Sequence, residues 1–363
     1  MRLLYFNPEN DLALAANDAH YTPPASARQM ARDLQRLPLL WAEQEDLVLL
    51  RNEADSSAAS LTDVSPVRTL PSLIGTAWGG SSSLQLLPWG WSPLVVRQLR
   101  DAGVSASLLP TTEQLADYRA FASRQTAVRL LRHWRAECPE AFGGGGLVGE
   151  SEWCTTEQEV KDACSRCDGA MLKMPWSGSG RGVHPVEAEL TGKDLAWVRR
   201  TLVRQGGVEV EPIYNKVQDF AMEFWAEDGR VCYEGLSVFE TTAGGVYAGN
   251  LVASEAEKEN RLSGYISPGL LREVRCRLET LLSSAGIPRW YSGPIGVDMM
   301  VVKSSTSQSS SFHLHPLVEV NMRMTMGWVA LRLQQKLSPG EVGTFRIAHS
   351  DGHYRALFHK IEA

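Results

Sequence analysis

Short apolar runs broken by polar turns set the pattern of the first third of the chain. Leu3–Asn7 and Asp46–Leu50 read as buried strands, and Ser26–Leu37 carries apolar residues at helical spacing before Pro38 stops it. Arg97–Ala102 reads as a helix end ahead of another strand near Ser105–Leu109. Strands alternating with helices predict parallel crossover units. A helical block over Glu113–Trp134 follows, and then the run Gly143–Gly146, a hinge or boundary.

From Ala170 onward the period changes. Ala170–Trp176, Gly207–Tyr214, Asp219–Glu227, Val231–Glu240, Gly293–Lys303 and Phe312–Arg323 read as longer strands. Helices fit Gly192–Arg204, Pro268–Ser284 and Met326–Lys336, and Ser304–Ser311 reads as a hairpin tip. The predicted fold class is α/β, becoming α+β towards the C-terminus. No internal repeat is present.

Composition narrows the function classes. With 363 residues the chain is long enough for two or three domains. A net charge of −6 and the lack of a Lys/Arg-rich run exclude a binder that relies on nucleic-acid phosphates. No run of ~18 apolar residues predicts a membrane span, and the start lacks the long apolar stretch of an export signal. Six cysteines are too sparse for a disulfide scaffold, so reduced thiols in a cytoplasm are expected.

The chemistry begins at Lys173, one charge on an otherwise apolar strand that runs into Ser177-Gly178-Ser179-Gly180-Arg181-Gly182. A buried lysine needs an anion, and glycines let backbone N–H groups approach one. A nucleotide phosphate would serve; an ordinary Gly/Ser turn with a solvated lysine is the plain alternative. The spacing fits neither the Walker loop nor the dinucleotide fingerprint.

A second cluster lies downstream. Glu319, Asn321 and Arg323 are two apart and share one strand face. The strand before it carries a single acid, Asp298, in an apolar run. If the two strands are neighbours, Asp298, Glu319 and Asn321 make an all-oxygen magnesium site beside a charge-stabilising arginine. A solvated sheet face with a Glu–Arg pair is the alternative. Between these clusters, Glu209, Glu211 and Asp219 belong to a strand pair whose acids suit adenine and ribose, or water.

In this order the elements resemble the ATP-grasp superfamily, over about Ala170–Lys336. The resemblance implies an N-terminal open α/β domain (1–115), a helical linker (116–146), and a clamp with a small lobe (147–214) and a large lobe (215–363). It implies that Lys173 contacts ATP phosphates and that Ser177 to Gly182 cover them. Glu211, or Glu209 in a shifted register, would hold adenine. Pro212 has no N–H, so the backbone donor to adenine would be Ile213 or Tyr214. Asp219 would hold ribose, and Asp298, Glu319 and Asn321 would hold Mg²⁺, with Mn²⁺ as an alternative. Arg323 matches a catalytic arginine of the carboxylase-like branch, whereas Gly296 stands where the dipeptide-ligase branch often has arginine.

The activity implied is a carboxylate–amine ligation through an acyl phosphate, on a small-molecule or peptide acid with an amine acceptor. A kinase of the same fold and a non-catalytic nucleotide-binding module are the competing readings. Neither nucleic acid nor membrane is an expected partner, and self-association is left open. In Asn7–Asp11, Asn10 or Asp11 is read first as the cap of the helix near Leu12, and Glu9 or Asp11 second as a substrate contact. Cys164 and Cys167 read as structural or surface thiols, and His313 and His315 as either solvated or pocket-lining.

Overall fold

A computed structural model describes residues 1–51, 68–70, 84–178, 182–187, 189–242, 247–304 and 311–361. Ser179, Gly180, Arg181 and most of the serine-rich tip lie outside the described residues. Three sheets organise them. The first is parallel, ordered β3-β2-β1-β4, from β1 (Arg2–Tyr5), β2 (Leu47–Leu49), β3 (Arg68–Leu70) and β4 (Gln85–Pro88). The second is antiparallel, ordered β5-β8-β6-β7, from β5 (Glu152–Cys154), β6 (Ala170–Lys173), β7 (Val183–Val186) and β8 (Val208–Pro212).

The third is an antiparallel sheet of seven strands, ordered β13-β12-β9-β10-β11-β14-β15. Its longest members are β9 (Lys216–Glu227), β10 (Arg230–Thr241), β12 (Gly293–Lys303) and β13 (Phe312–Asn321). The remaining strands are β11 (Tyr247–Val252), β14 (Val342–Ser350) and β15 (His353–Ile361), and β13 and β15 form the two edges. An N-terminal parallel layer followed by two antiparallel sheets is the predicted mixed α/β architecture.

The layers share cores. Leu3 and Tyr5 on one face of β1 join a cluster that runs through Phe220, Met222, Val320 and Met322. Leu4 and Phe6 on the other face join Met324, Trp328 and Phe345. A parallel strand buried on both faces explains why this run is continuously apolar rather than alternating. Tyr118, fully buried, ties the layers further: its hydroxyl accepts from the Trp91 amide at 3.3 Å and donates to the Met322 carbonyl.

Several predicted elements differ. Ser105–Leu109 is no strand but a 3₁₀ turn over Ala106–Leu108, whose residues stay largely at the surface. The first long helix ends at Asp33, and Pro38 sits in a 3₁₀ turn, Leu37–Leu40. The block at Glu113–Trp134 is two helices, Thr112–Phe121 and Arg124–Glu137, because Ser123 leaves the helix and caps the second one by accepting from the Gln125 amide. The β14–β15 hairpin was not anticipated, although its Asp351-Gly352 turn, with φ of 54° and 78°, carries the sequence signal for one. All six cysteines are free thiols.

Candidate functional site

Antiparallel pairing of β6 with β8 sets Lys173 opposite Glu209, with Glu211 two residues along on the same face. All three are buried. The Lys173 ammonium lies 2.7 Å from Glu211 Oε1 and 3.6 Å from Glu209 Oε1. Burial pulls the ammonium pKa down, but the two carboxylates more than reverse this, so the lysine stays charged. Burial pushes the Glu209 carboxyl up to about 7 against the pull of Lys173. The strand lysine does have the anions it requires, and in this structure they are intrachain carboxylates.

The other half of the site is a row across the large sheet. Ala221, Asp298 and Glu319 are directly paired neighbours on β9, β12 and β13, as are Glu223, Gly296 and Asn321 one step along. Paired positions project to one side, so the two strands are neighbours and bring Asp298, Glu319 and Asn321 together. Asn321 Nδ2 donates to Asp298 Oδ2 at 3.0 Å. Burial, then the Glu319 charge, pushes the Asp298 carboxyl up to about 7. Gly296 is demanded by close approach: a Cβ there would stand 2.7 Å from Thr325 Cγ2 and 3.1 Å from Glu223 Oε2. An arginine has no room at this position.

Arg323 follows the same strand and is held on three sides. Its Nε donates to Asp11 at 2.9 and 3.1 Å, Nη2 to Asn321 Oδ1 at 2.8 Å, and Nη1 to the Met324 carbonyl at 3.0 Å. Asp11 comes from the first helix, Asn10–Ala16. Its role corrects the preferred capping assignment: Glu9 holds the N-cap position, makes no capping side-chain bond, and pairs with Arg51 at 2.6 Å instead. Asp11 also abuts the loop after β6, since a Cβ on Gly178 would lie 3.2 Å from Asp11 Oδ2. Asn10, Asp11, Ser177, Glu319 and Arg323 line a space of only about 10 Å³, roughly one water.

Arg124 was not anticipated. It is 6% exposed, lies 2.8 Å from Glu319 Oε2, and its Nε has no hydrogen-bond partner among the described residues. Its charge also reaches Glu209, Glu211 and Asp298. A signal was available. Ser123 caps a helix whose first residue is then a base, which the helix dipole disfavours unless an acid lies nearby.

The remaining predicted residues divide. Ser177 is buried with a hydroxyl that has no partner among the described residues, and Gly182 packs against it while the Gly182 carbonyl accepts from the Met174 amide at 2.8 Å. Asp219 already accepts from Lys216 Nζ at 2.5 Å and Thr241 Oγ1 at 2.8 Å. The Ile213 amide donates to the Gly169 carbonyl at 3.1 Å, so it is not a free donor, and that expectation passes to Tyr214. His315 is buried rather than solvated, edge-on to the Tyr214 ring at 5.4 Å, and burial pushes its pKa down to about 3.

The cleft thus gathers three bases (Lys173, Arg124, Arg323) and five acids (Asp11, Glu209, Glu211, Asp298, Glu319). Among the described residues, no group of three or more His, Cys, Asp and Glu side chains is arranged to hold a metal ion. Two carboxylates and one amide do converge, and their acidic excess suits a hard cation that takes its remaining ligands from phosphate and water.

No protein-family model matches the chain, and no curated protein is similar enough in sequence to match. Its neighbours among solved structures include a protein described as an ATP-grasp superfamily member, a biotin carboxylase and an L-amino acid ligase. The first, from Archaeoglobus fulgidus, is 12% identical with a TM-score of 0.48, each chain covering 100% of the other. A biotin carboxylase from Campylobacter jejuni is 15% identical with a TM-score of 0.47, over 95% of this chain and 75% of that one. An L-amino acid ligase from Bacillus licheniformis is 12% identical with a TM-score of 0.44, over 96% and 80%. No helix among the described residues is long and apolar enough to cross a membrane.

Proposed function

We propose that this chain is an ATP- and Mg²⁺-dependent ligase that activates a substrate carboxylate as an acyl phosphate and joins it to an amine. One observation carries the reading: Lys173, Arg124 and Arg323, from three separate elements, meet Asp298, Glu319 and Asn321 in one cleft. Lys173 and Arg124 take phosphate oxygens, exchanging their present carboxylate partners for the triphosphate. Ser177, Gly178 and Gly182 shape the backbone over it. Glu211 or Glu209, with the Tyr214 amide, receives adenine, and Asp219 receives ribose. Asp298, Glu319 and Asn321 hold magnesium, which supplies charge neutralisation at the phosphates.

In this scheme an oxygen of the acid attacks the γ-phosphorus, the bond to the bridging oxygen breaks, and ADP leaves. The amine nitrogen then attacks the acyl carbon, phosphate departs and a proton is released. Arg323 offers the developing oxyanion the Nη hydrogens not given to Met324 and Asn321, while Asp11 holds its Nε. The test is Mg²⁺-dependent ADP release across a panel of amino acids and small acids, each with and without an amine. Release that requires both partners, and is lost in Lys173→Ala and Glu319→Ala, supports the ligase. ADP formed with a hydroxyl acceptor alone would make it a kinase, and full activity in either variant would overturn the site.

A further inference from the structure

Trp176 stands in the loop after β6, just beyond Lys173, and Arg119 grips it twice. The Trp176 indole N–H donates to the Arg119 carbonyl at 3.0 Å, and the Arg119 guanidinium lies 3.6 Å from the centre of the Trp176 ring. That is well within the reach of a cation–π contact. Arg119 belongs to the last turn of the Thr112–Phe121 helix. Its Nε donates to the Leu14 carbonyl at 2.7 Å, near the end of the helix that carries Asp11. The last carbonyls of a helix lack partners within it, and a cation is favoured there. Arg119 makes no ion pair among the described residues, and burial alone pulls its pKa down. Its charge is spent on an indole face and a helix end.

Two backbone donors join the same elements. The Arg124 amide donates to the Pro175 carbonyl at 3.1 Å, and the Trp176 amide donates to Gln205 Oε1 at 2.9 Å. Gln205 ends the Gly192–Gln205 helix. Buried Trp176 is thus a node between that helix, the linker helices and the strand of Lys173, and with Pro175 it forms part of the wall of the charged cleft. The two bases need such a tie. The Arg124 charge works against that of Lys173, and like charges drift apart unless their backbones are held. Their carboxylate partners hold them in this structure. A phosphate chain that displaces those carboxylates finds the two bases correctly spaced only if the backbone sets the spacing beforehand.

We propose that Arg119 and Trp176 are positioning residues of the phosphate site, fixing the strand of Lys173 against the helix of Arg124 so that both bases meet one phosphate chain. The proposal rests on the phosphate role given to those bases above. Neither residue touches the nucleotide in that scheme; each acts through the base it holds. Because Arg119 also holds the Leu14 carbonyl, the tie extends to the helix whose Asp11 grips Arg323.

The experiment measures ATP (with Mg²⁺) and adenosine affinities of the full chain by displacement of a fluorescent ATP analogue. Arg119→Met removes the stacked cation and the Leu14 bond, and should weaken ATP about tenfold. Trp176→Phe keeps a ring and loses only the N–H bond, and should weaken ATP about threefold. Adenosine, which lacks phosphates, should bind both variants within about twofold of the parent. In nucleotide-free protein, hydrogen exchange at the Trp176 and Arg124 amides should rise about tenfold or more in Arg119→Met, with β12 and β13 unchanged. Thermal melts establish folding, and Trp176→Phe, the milder change, keeps the test available if Arg119→Met does not fold. A parent that binds ATP while both variants match it within twofold overturns the proposal and leaves the ligase reading standing. Equal losses of ATP and adenosine overturn it too, since they mark a general structural role, as does unchanged exchange at the two amides. A parent that does not bind ATP overturns the ligase reading, and the proposal falls with it.

Discussion

Replacing Asp11 tests whether the first helix belongs to the charged cleft. Asp11 and Arg323 approach to 2.9 Å, with side chains 20% and 19% exposed. Two unit charges about 3 Å apart attract by about 5 kcal/mol at an effective dielectric of 20. Desolvation and the water reaching a fifth of each side chain remove more than half of this, leaving a coupling of about 2 kcal/mol. A double-mutant cycle in urea, with Asp11→Ala, Arg323→Met and the pair, measures that coupling without reference to activity. Asp11→Asn, which keeps one acceptor for Nε, should retain part of it. Single effects that add within about 0.5 kcal/mol would refute the geometry. Once an acid–amine pair is known, Asp11→Ala should lower kcat by about 10–100-fold, with KM for ATP changed less than about threefold, because the guanidinium loses its orientation and not its charge.

Three further outcomes follow from the same charges. Arg124→Ala leaves Glu319 without its base and should cost about 2–4 kcal/mol in urea at pH 8, less at pH 5.5, where the Glu209 and Asp298 carboxyls, both pushed up to about 7, are protonated; a pH-independent cost would contradict this. Burial pushes the Glu223 carboxyl up to about 8, so its contribution to stability is complete below about pH 4.5 and lost as pH rises through 8. Glu223→Gln should flatten the stability profile across that window by a few kcal/mol, and an unchanged slope between pH 5 and 8 would show that this group does not titrate there. Lys258 is 1% exposed, its ammonium has no hydrogen bond among the described residues, and its ion pair with Glu255 is long at 3.8 Å. Lys258→Met should raise stability by about 1–3 kcal/mol, and a loss of more than about 1 kcal/mol would mean that the charge is better compensated than this geometry allows.

What the sequence made legible follows strand geometry. Glu319 and Asn321 lie on one strand, so a two-residue period puts them on one face before any partner is known; the strand predicted to reach Arg323 stops at Asn321, and Arg323 sits in the bend just beyond it. Lys173 was legible for a different reason: a charge in an apolar strand requires an anion. Its partner was not legible, because a carboxylate on the neighbouring strand and a bound phosphate meet that requirement equally well. Arg124 and Asp11 lay hidden because each touches the site across a long loop of chain, with 312 positions separating Asp11 from Arg323. Apart from the base at the start of the Ser123-capped helix, local patterns carry no record of such contacts. Asp11 was also masked by its chemistry, since an acid at a helix start is equally suited to capping the helix and to holding a distant guanidinium.

Tyr118 has a consequence for how such a protein can be rebuilt. Its hydroxyl stitches the Trp91 amide to the Met322 carbonyl, next to the residue that Asp11 grips. Boundaries drawn along the sequence are therefore not seams in the solid. A chimera that grafts a foreign clamp onto this N-terminal layer, cutting near residue 115, would separate Asp11 and Trp91 from both of their long-range companions. The transplanted half would keep every motif that can be read from its own strands and would still lose the grip on its arginine. Successful recombination would have to exchange the first helix, the Tyr118 helix and the β13 strand as one inherited block.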